Sequence, residues 1–369
     1  MSPITISNID IEFAPFSYTI DELVDDIFVN KLDKEVRDFA KNELGISRIY
    51  KAYDLKKIDF DNTDFVLPDV SLNDMYVKIA GKVCASSKRV PQDIGFLISI
   101  NDYQENLDPS PTVEIVSRLG LKKDIRTQNF QGLACSSLSE AILNAAGHFS
   151  LGNTDDVLVL IGTFYTGWFL DRIKQIKHVS KNNVKEFLNF IYFLIFSDVT
   201  ASTIISNGTK LDASLAQIDI NSIFSLKDNN YESYKKATIK LSPSKDYRII
   251  FDMNLDSKQL KESVANLSLE NISRLREKFP QDFEKIKLWG FHTAGTRFVD
   301  HIREKCNIEK NNAKLTYDLM KETGNTGAVS ALQIIKESIE RKFLNKGELG
   351  CVVDYGWEGA NTFLFKSLR

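Results

Sequence analysis

No stretch of the chain is apolar and long enough to read as a bilayer span. The longest such run, Leu188 to Phe196, is broken by Asn189 and falls far short of the roughly 20 residues a membrane helix requires. The opening Met1-Ser2-Pro3-Ile4-Thr5 lacks the charged and apolar regions of a secretory signal, so residence in the cytoplasm is the expectation. Cysteine is sparse: Cys84, Cys135, Cys306 and Cys351 are scattered without the paired spacing of a zinc site or a disulfide framework. Excess charge of one sign is also missing. The 47 basic and 50 acidic residues leave a formal net charge of -3, which gives no global attraction to nucleic acid. Any acidic partner must be met by a local basic patch. Low-complexity tracts and a repeat of roughly 20–50 residues, the mark of a solenoid, are absent too. What is present is 43% hydrophobic and 26% charged residues over 369 positions, enough for one large domain or two medium ones with a substantial core.

Strand-like and helix-like segments alternate. Asp21 to Val29, Asp33 to Asn42 and Leu72 to Ala85 have helical spacing of apolar residues. Ile94 to Ile100 reads as a strand buried on both faces, and Asp156 to Gly162 as another. Pro109 and Pro111 open a helix to about Arg118, with Gly120 just past its end. Thr127 to Gln131 leads through Gly132-Leu133-Ala134-Cys135 into an amphipathic helix from Ser136 to Phe149. Strand, helix and strand at this spacing predict βαβ units, hence an α/β fold with a parallel sheet. Val184 to Phe196 is expected to be a helix feeding a strand, and Thr200 to Ser206 a strand. Gln217 to Leu255 is β-rich, and Asp256 to Phe279 helical. Ile286 to Phe291 is a short strand ending at His292. Helices follow at Gly295–Cys306 and Ala328–Phe343, then strands at Gly350–Asp354 and Asn361–Phe365.

Four places carry residue types that do chemistry. Cys135 stands between a predicted strand and the first turn of a predicted helix, whose free N–H groups and dipole stabilise a thiolate; the alternative is a buried structural cysteine. His292 ends a short apolar strand and precedes the small-residue turn Thr293-Ala294-Gly295, so its ring can cross the C-terminal edge of a sheet, where α/β folds build sites. A satisfied core histidine is the competing reading. His148 lies within a helix, while His178 and His301 read as surface residues. Asn325, in Thr323-Gly324-Asn325-Thr326-Gly327, reads as the tip of a tight, exposed loop, either aimed into a site or an ordinary turn asparagine. Gly356-Trp357-Glu358-Gly359 is a loop whose amides face a substrate oxygen, or a plain hairpin turn.

In order and context these segments resemble one family. Gly132-Leu-Ala-Cys135-Ser-Ser, Phe196-Ser-Asp198-Val-Thr-Ala-Ser, His292-Thr-Ala-Gly-Thr-Arg297, Gly324-Asn325-Thr-Gly-Ala and the late glycine loop are similar to the type III ketoacyl-ACP synthases of the thiolase superfamily. More widely they resemble the type III polyketide synthases and plant fatty-acid elongating synthases. The resemblance runs from about Ile94 to the C-terminus. It implies a thiolase fold of five layers, αβαβα, from two similar halves, placed here at 1–190 with the nucleophile and 191–369 with the His and Asn. It implies a Cys135-His292-Asn325 site. Cys135 takes an acyl group from a coenzyme A or acyl carrier protein thioester, with Gly356 and Gly359 supplying an oxyanion donor. His292 and Asn325 hold a malonyl-type or β-ketoacyl-type extender for decarboxylative condensation in fatty-acid or polyketide biosynthesis. Neither a metal nor a permanently bound cofactor is implied.

Some residues depart from the family pattern. Ser197-Asp198-Val199 replaces Gly-Asp-Gly, Ser137 and Leu138 stand where a glycine is common, and the last loop is stretched by Trp357 and Glu358. These changes suggest a secondary-metabolic member. Two rivals to condensation are acyl transfer to oxygen or nitrogen on the same fold, and a non-catalytic partner subunit; Asn325 argues against the first and Cys135 against the second. The apolar run Phe187 to Phe196 and the strand Asp156 to Gly162 are expected to leave surface for a homodimer. Arg297, with Arg303 and Lys305 on the same helix, and with Arg172, Lys174 and Lys177 nearby, is expected to dock an acidic carrier or coenzyme A phosphates. Phe298, Ile302 and Cys306 are expected to face inward.

Overall fold

Residues that alternate along a strand face opposite sides of its sheet, and the central strands here find a core on each side. The computed structural model describes residues 3–62, 66–101, 110–132, 134–208, 214–227, 237–243, 249–255, 257–356 and 359–369, with the backbone alone at 134, 237–243, 249–255 and 257–261. Its strands are β1 (Ile4–Phe13), β2 (Phe16–Thr19), β3 (Arg48–Lys51), β4 (Ile94–Asn101), β5 (Arg126–Gln131), β6 (Asp156–Thr163), β7 (Val199–Asn207), β8 (Ala216–Ile218), β9 (Phe224–Lys227), β10 (Ala237–Pro243), β11 (Ile249–Leu255), β12 (Ile286–Phe291), β13 (Leu349–Gly356) and β14 (Gly359–Ser367). Its α-helices are α1 (Lys34–Glu43), α2 (Leu72–Ser86), α3 (Pro111–Leu119), α4 (Leu138–Ser150), α5 (Thr166–Gln175), α6 (Val184–Ile195), α7 (Ser257–Lys278), α8 (Pro280–Phe283), α9 (Thr296–Lys305), α10 (Lys314–Thr323) and α11 (Ser330–Glu340). Among the described residues, no helix is long and apolar enough to cross a membrane.

Ten strands form one hydrogen-bonded path, β12-β13-β14-β8-β1-β7-β6-β4-β5, with β9 added at β14. The β4–β5, β4–β6 and β12–β13 pairs are parallel, as the βαβ spacing predicts. Alternation along the strands then builds the layers. Leu97, Leu158, Leu160 and Ile204 face Leu72, Met75, Tyr76 and Ile79 of α2. Their neighbours Ile98, Val159 and Ile205 face a central core shared with Leu138, Ala141 and Ile142 of α4 and Leu332 and Ile335 of α11. Leu288, Val352, Phe363 and Phe365 close that core from the other side. Trp289, Phe291, Cys351, Val353 and Leu364 turn the opposite way, onto Val264, Ile272 and Leu275 of α7 and Val299 and Ile302 of α9. Helix, strands, helix, strands and helix is the αβαβα order. β7 pairs with β1 and β6, so the strands of the N-terminal half run past the 190/191 division read from the sequence.

Other elements differ from the sequence reading for physical reasons. β1 went unread because a bulge between Ile6 and Ile9 breaks its alternation. The segment after Asp21 is a π-helix, Glu22–Ile27, followed by a 3-10 turn, Val29–Lys31. Thr19 opens it by donating from its N–H and hydroxyl to the Glu22 carboxylate. The helix α6 ends at Ile195, and the strand it feeds, β7, begins at Val199 after Ser197 and Asp198. The Lys51 ammonium donates to Phe193 O and Phe196 O, both at 2.8 Å, and caps that helix end. In the run Phe187 to Phe196, Phe190, Phe193 and Leu194 are fully buried while Phe187, Leu188, Ile191 and Tyr192 are half-buried, and β6 is buried along its length.

Lys51 and Asp198 are fully buried. Burial pushes the Lys51 ammonium down to about 8, against the pull of Asp198, and pushes the Asp198 carboxyl up, against Lys51 and its hydrogen bonds. A lysine titrates near 10.4 when unfolded, so between about pH 8 and 10 the unfolded chain holds the extra proton and stability from this group rises with pH. Lys51→Met removes that dependence. The wild-type minus variant difference in urea unfolding free energy should rise by about 1 kcal/mol per pH unit across that window; a flat difference would show that Lys51 does not titrate there.

Candidate active site

The position of Cys135 is fixed from behind by packing. Cys135 lies in a 3-10 turn, Ala134–Ser136, just before α4, and is 8% exposed. Full burial of Leu138 and Ile142 contributes roughly 1.5–3 kcal/mol each, well above the few tenths of an exposed helical ion pair. The core face of α4 thus sets where the turn sits. Asn361 of β14 donates its Nδ2 to Ser136 O, and Ser139 Oγ donates to the same carbonyl at 3.3 Å. The turn packs against β13, β14 and the turn Gly327–Val329. It therefore meets the two other candidate segments.

Asn325 is buried, 3% exposed, and not the tip of an exposed loop. Its N–H donates to Ile195 O at 2.7 Å, and its C=O accepts from Ser197 N at 2.9 Å. Gly327 N donates to its Oδ1 at 2.8 Å. Because a backbone N–H only donates, the atom facing it must be the amide oxygen, which leaves Nδ2 as the donor Asn325 can offer. The flanking glycines are required. Gly324 has φ +67, and a Cβ there would lie 2.6 Å from Ile195 O; Gly327 has φ +54, and a Cβ would lie 2.6 Å from Thr163 Oγ1. Ser197, a departure from the family pattern, has its own task. Its hydroxyl accepts from Tyr50 N at 3.0 Å and donates to Thr323 O at 2.6 Å.

His292 follows β12 and is 2% exposed. Its N–H donates to Val353 O at 3.0 Å, and its C=O accepts from Ala294 N and from Tyr355 OH at 2.9 Å. Burial pushes the imidazole down to about 3, so it is neutral at physiological pH. The His292 and Tyr355 rings meet edge to face at 5.3 Å. The Tyr355 phenol is held well above its usual range by burial first, then by Asp354 and Cys135, which places Cys135 in the same neighbourhood. Thr293 N donates to Ser330 Oγ at 3.4 Å, and Thr326 N to Thr293 Oγ1 at 3.3 Å, tying the histidine segment to the asparagine segment. Cys135, His292 and Asn325 are thus brought to one place by segments far apart in sequence.

Comparisons with known proteins bear on the fold. Residues 280–357 match the family described as 3-oxoacyl-[acyl-carrier-protein (ACP)] synthase III C terminal. A variant of OleA from Xanthomonas campestris with bound lauric acid and lauroyl-CoA is 16% identical, with a TM-score of 0.76 over 100% of this chain and 99% of that one. A fungal type III polyketide synthase, ORAS, is also 16% identical, with a TM-score of 0.76 over 99% of each chain. This is the thiolase fold. The chain resembles the condensing enzymes of the thiolase superfamily. No curated protein sequence matches it.

On the thiolase fold the remaining candidates fall as follows. Gly356 pairs with Gly359 across the β13–β14 hairpin. Trp357 and Glu358 lie outside the described residues. A Cβ on Gly359 would meet Leu226 O at 2.1 Å, so this glycine also serves the close approach of β9. On α9, the Arg297 side chain is 81% exposed and pairs with Glu43 at 2.6 Å. Arg303 is drawn inward to Asp300, Glu304 and Ile308 O, and Lys305 is exposed. Ile302 is buried as expected, Phe298 and Cys306 are half-buried, and Val299 joins the core. Lys174 is buried at 6%. Sequence reasoning missed Asn361, Asp354 and the Thr293–Thr326–Ser330 bridge. An Asp ending the apolar run Gly350-Cys-Val-Val was the one available signal.

The glycine geometry gives a test. Gly120 has φ +62 with open space around its Cβ position, whereas Gly327 combines positive φ with a clash. Gly120→Ala should cost about 1 kcal/mol from the backbone alone, and Gly327→Ala about 2 kcal/mol or more. Equal losses in urea unfolding would mean that Thr163 moves aside freely.

Proposed function

We propose that this chain is a condensing acyltransferase. Cys135 Sγ attacks the carbonyl of an acyl thioester of coenzyme A or acyl carrier protein and holds the acyl group. Its own backbone N–H and one from the Gly356–Gly359 hairpin stabilise the tetrahedral oxyanion. His292 and Asn325 then hold the thioester carbonyl of a malonyl-type or β-ketoacyl-type extender. With a malonyl extender, carbon dioxide leaves, the enolate oxygen is stabilised by the two side chains, and the enolate carbon attacks the acyl-Cys135 carbonyl. A β-keto thioester forms, and Cys135 is released as thiolate.

The observation that carries this reading is the fixed amide of Asn325. Gly327 N and the glycine geometry lock its oxygen, so Nδ2 is presented as a donor beside the nucleophile turn. The match of residues 280–357 to the synthase III family supports it, and the lauroyl-CoA bound in OleA makes a fatty acyl-CoA the first donor to try. Work in the cytoplasm, in fatty-acid or polyketide biosynthesis, fits this chemistry. Exposed Arg297 and Lys305 are the positive charges α9 offers to an acidic carrier or to coenzyme A phosphates. Among the described strands, β5 lies at an end of the sheet path, bonded to β4 alone. Such an edge is a template for a second copy, and a monomer in sedimentation at micromolar concentration would argue against that homodimer.

Asn325→Asp separates the half-reactions. Its carboxylate still accepts from Gly327 N, so the loop keeps its hydrogen bond, but the Nδ2 donor is gone. Decarboxylation of malonyl-CoA should slow by roughly two to three orders of magnitude while acylation of Cys135 is spared. Equal loss of both would make Asn325 structural. Little loss of either would favour acyl transfer without condensation.

A further inference from the structure

β12 and β13 run parallel, with Phe291 opposite Val353, so the next residues along each strand, His292 and Asp354, come side by side. Both side chains are 2% exposed, and Asp354 Oδ1 lies 3.7 Å from His292 Nδ1. Nδ1 makes no hydrogen bond in the described structure. Nδ1 is a ring donor within reach of that carboxylate. Its backbone position is set by the same strand pair, through His292 N to Val353 O and Tyr355 OH to His292 O. The 3.7 Å separation is longer than a direct N–H···O bond, and such contacts tighten when substrate binds.

We infer that Asp354 is a positioning residue for His292, holding the ring proton on Nδ1 so that Nε2 is the bare nitrogen that takes the thiol proton of Cys135 during acyl loading. The inference rests on the acyl-loading reading above and extends it. In loading, the Cys135 S–H bond breaks and its proton moves to Nε2. The S–C bond to the acyl group forms, and the coenzyme A or carrier sulfur leaves as thiolate. His292 is now an imidazolium, its charge offset against burial by the Asp354 carboxylate beside Nδ1–H, with Nε2–H free to donate to the extender carbonyl. After condensation releases Cys135 as thiolate, Nε2 returns the proton and the cycle closes without net gain of charge on the protein. One carboxylate thus reconciles two demands on the same nitrogen, acceptor in the first half-reaction and donor in the second. The groups that face His292 and would shape its pH response are Asp354 and Tyr355, with Cys135 and Tyr317 acting on the Tyr355 phenol.

The test has two readouts, neither of which needs the substrate. Long-range 15N–1H correlation of the resting protein, with the His292 signal assigned by its loss in His292→Asn, should show Nδ1 protonated and Nε2 bare at neutral pH. In Asp354→Asn the proton should shift to Nε2, as an amide N–H facing Nδ1 demands. Alkylation of Cys135 by iodoacetamide should fall at least 100-fold in that variant, the low end of general-base effects, with its pH profile moved to the alkaline side. A wild-type ring carrying its proton on Nε2, or on both nitrogens, overturns the proposal. An unmoved alkylation profile in a folded Asp354→Asn overturns it too. If Asp354→Asn does not fold, the wild-type spectrum still decides. Failure of every acyl thioester to load Cys135 would strike the proposed function and leave these two readouts standing.

Discussion

Two main-chain hydrogen bonds hold the site in register: Asn325 N–H to Ile195 O and Ser197 N–H to Asn325 O. They stitch the end of α6 to the loop before α11. Around them gather groups whose burial makes sense only together. Asp198 accepts from Ala52 N at 2.8 Å and from Thr166 N at 3.1 Å, fixing the exit of β3 and the start of α5. Lys51 closes the carbonyls at the end of α6, and the Ser197 hydroxyl joins Tyr50 to Thr323. Buried polar groups of this kind are costly when half satisfied and specifying when complete. This knot gives Asn325 one orientation, and the site depends on that orientation.

The second constraint is the central core. α4 and α11 pack side by side between the two sets of strands, one entered just after Cys135 and the other soon after Asn325. Their apolar faces are fully buried, so each helix start is located by tens of dispersion contacts and by area burial. The candidate site then sits where helix N-termini meet the strand end that delivers His292. Histidine, asparagine and cysteine come from distant parts of the chain, and their meeting is a property of the layers.

Much of this was legible in residues whose roles are local. Ile94–Ile100 and Asp156–Gly162 read as buried strands because both faces are apolar, and the layered structure buries both. Gly120 read as a helix end, and it is one, at φ +62. Cys135, His292 and Asn325 were visible through their small-residue neighbours and a family pattern. What was illegible depends on contacts between distant segments. The bulge in β1 hid a central strand. The end of α6 is set by Lys51, more than 140 positions away in sequence. Asn325 looked exposed because glycines usually mark surface turns, yet here Gly324 and Gly327 admit Ile195 and Thr163 at close range. Asp354 looked like the end of a strand, and only the parallel register of β12 and β13 puts it against His292.

The central claim is that Cys135 carries the acyl group, with the rest of the site built to use it. Intact-protein mass spectrometry with peptide mapping, after incubation with lauroyl-CoA and then with malonyl-CoA, tests it most directly. The account predicts one lauroyl adduct on the peptide containing Cys135, absent in Cys135→Ala, and its discharge as a β-keto product when the extender is added. An adduct that persists in Cys135→Ala, or maps to Cys84, Cys306 or Cys351, would contradict it.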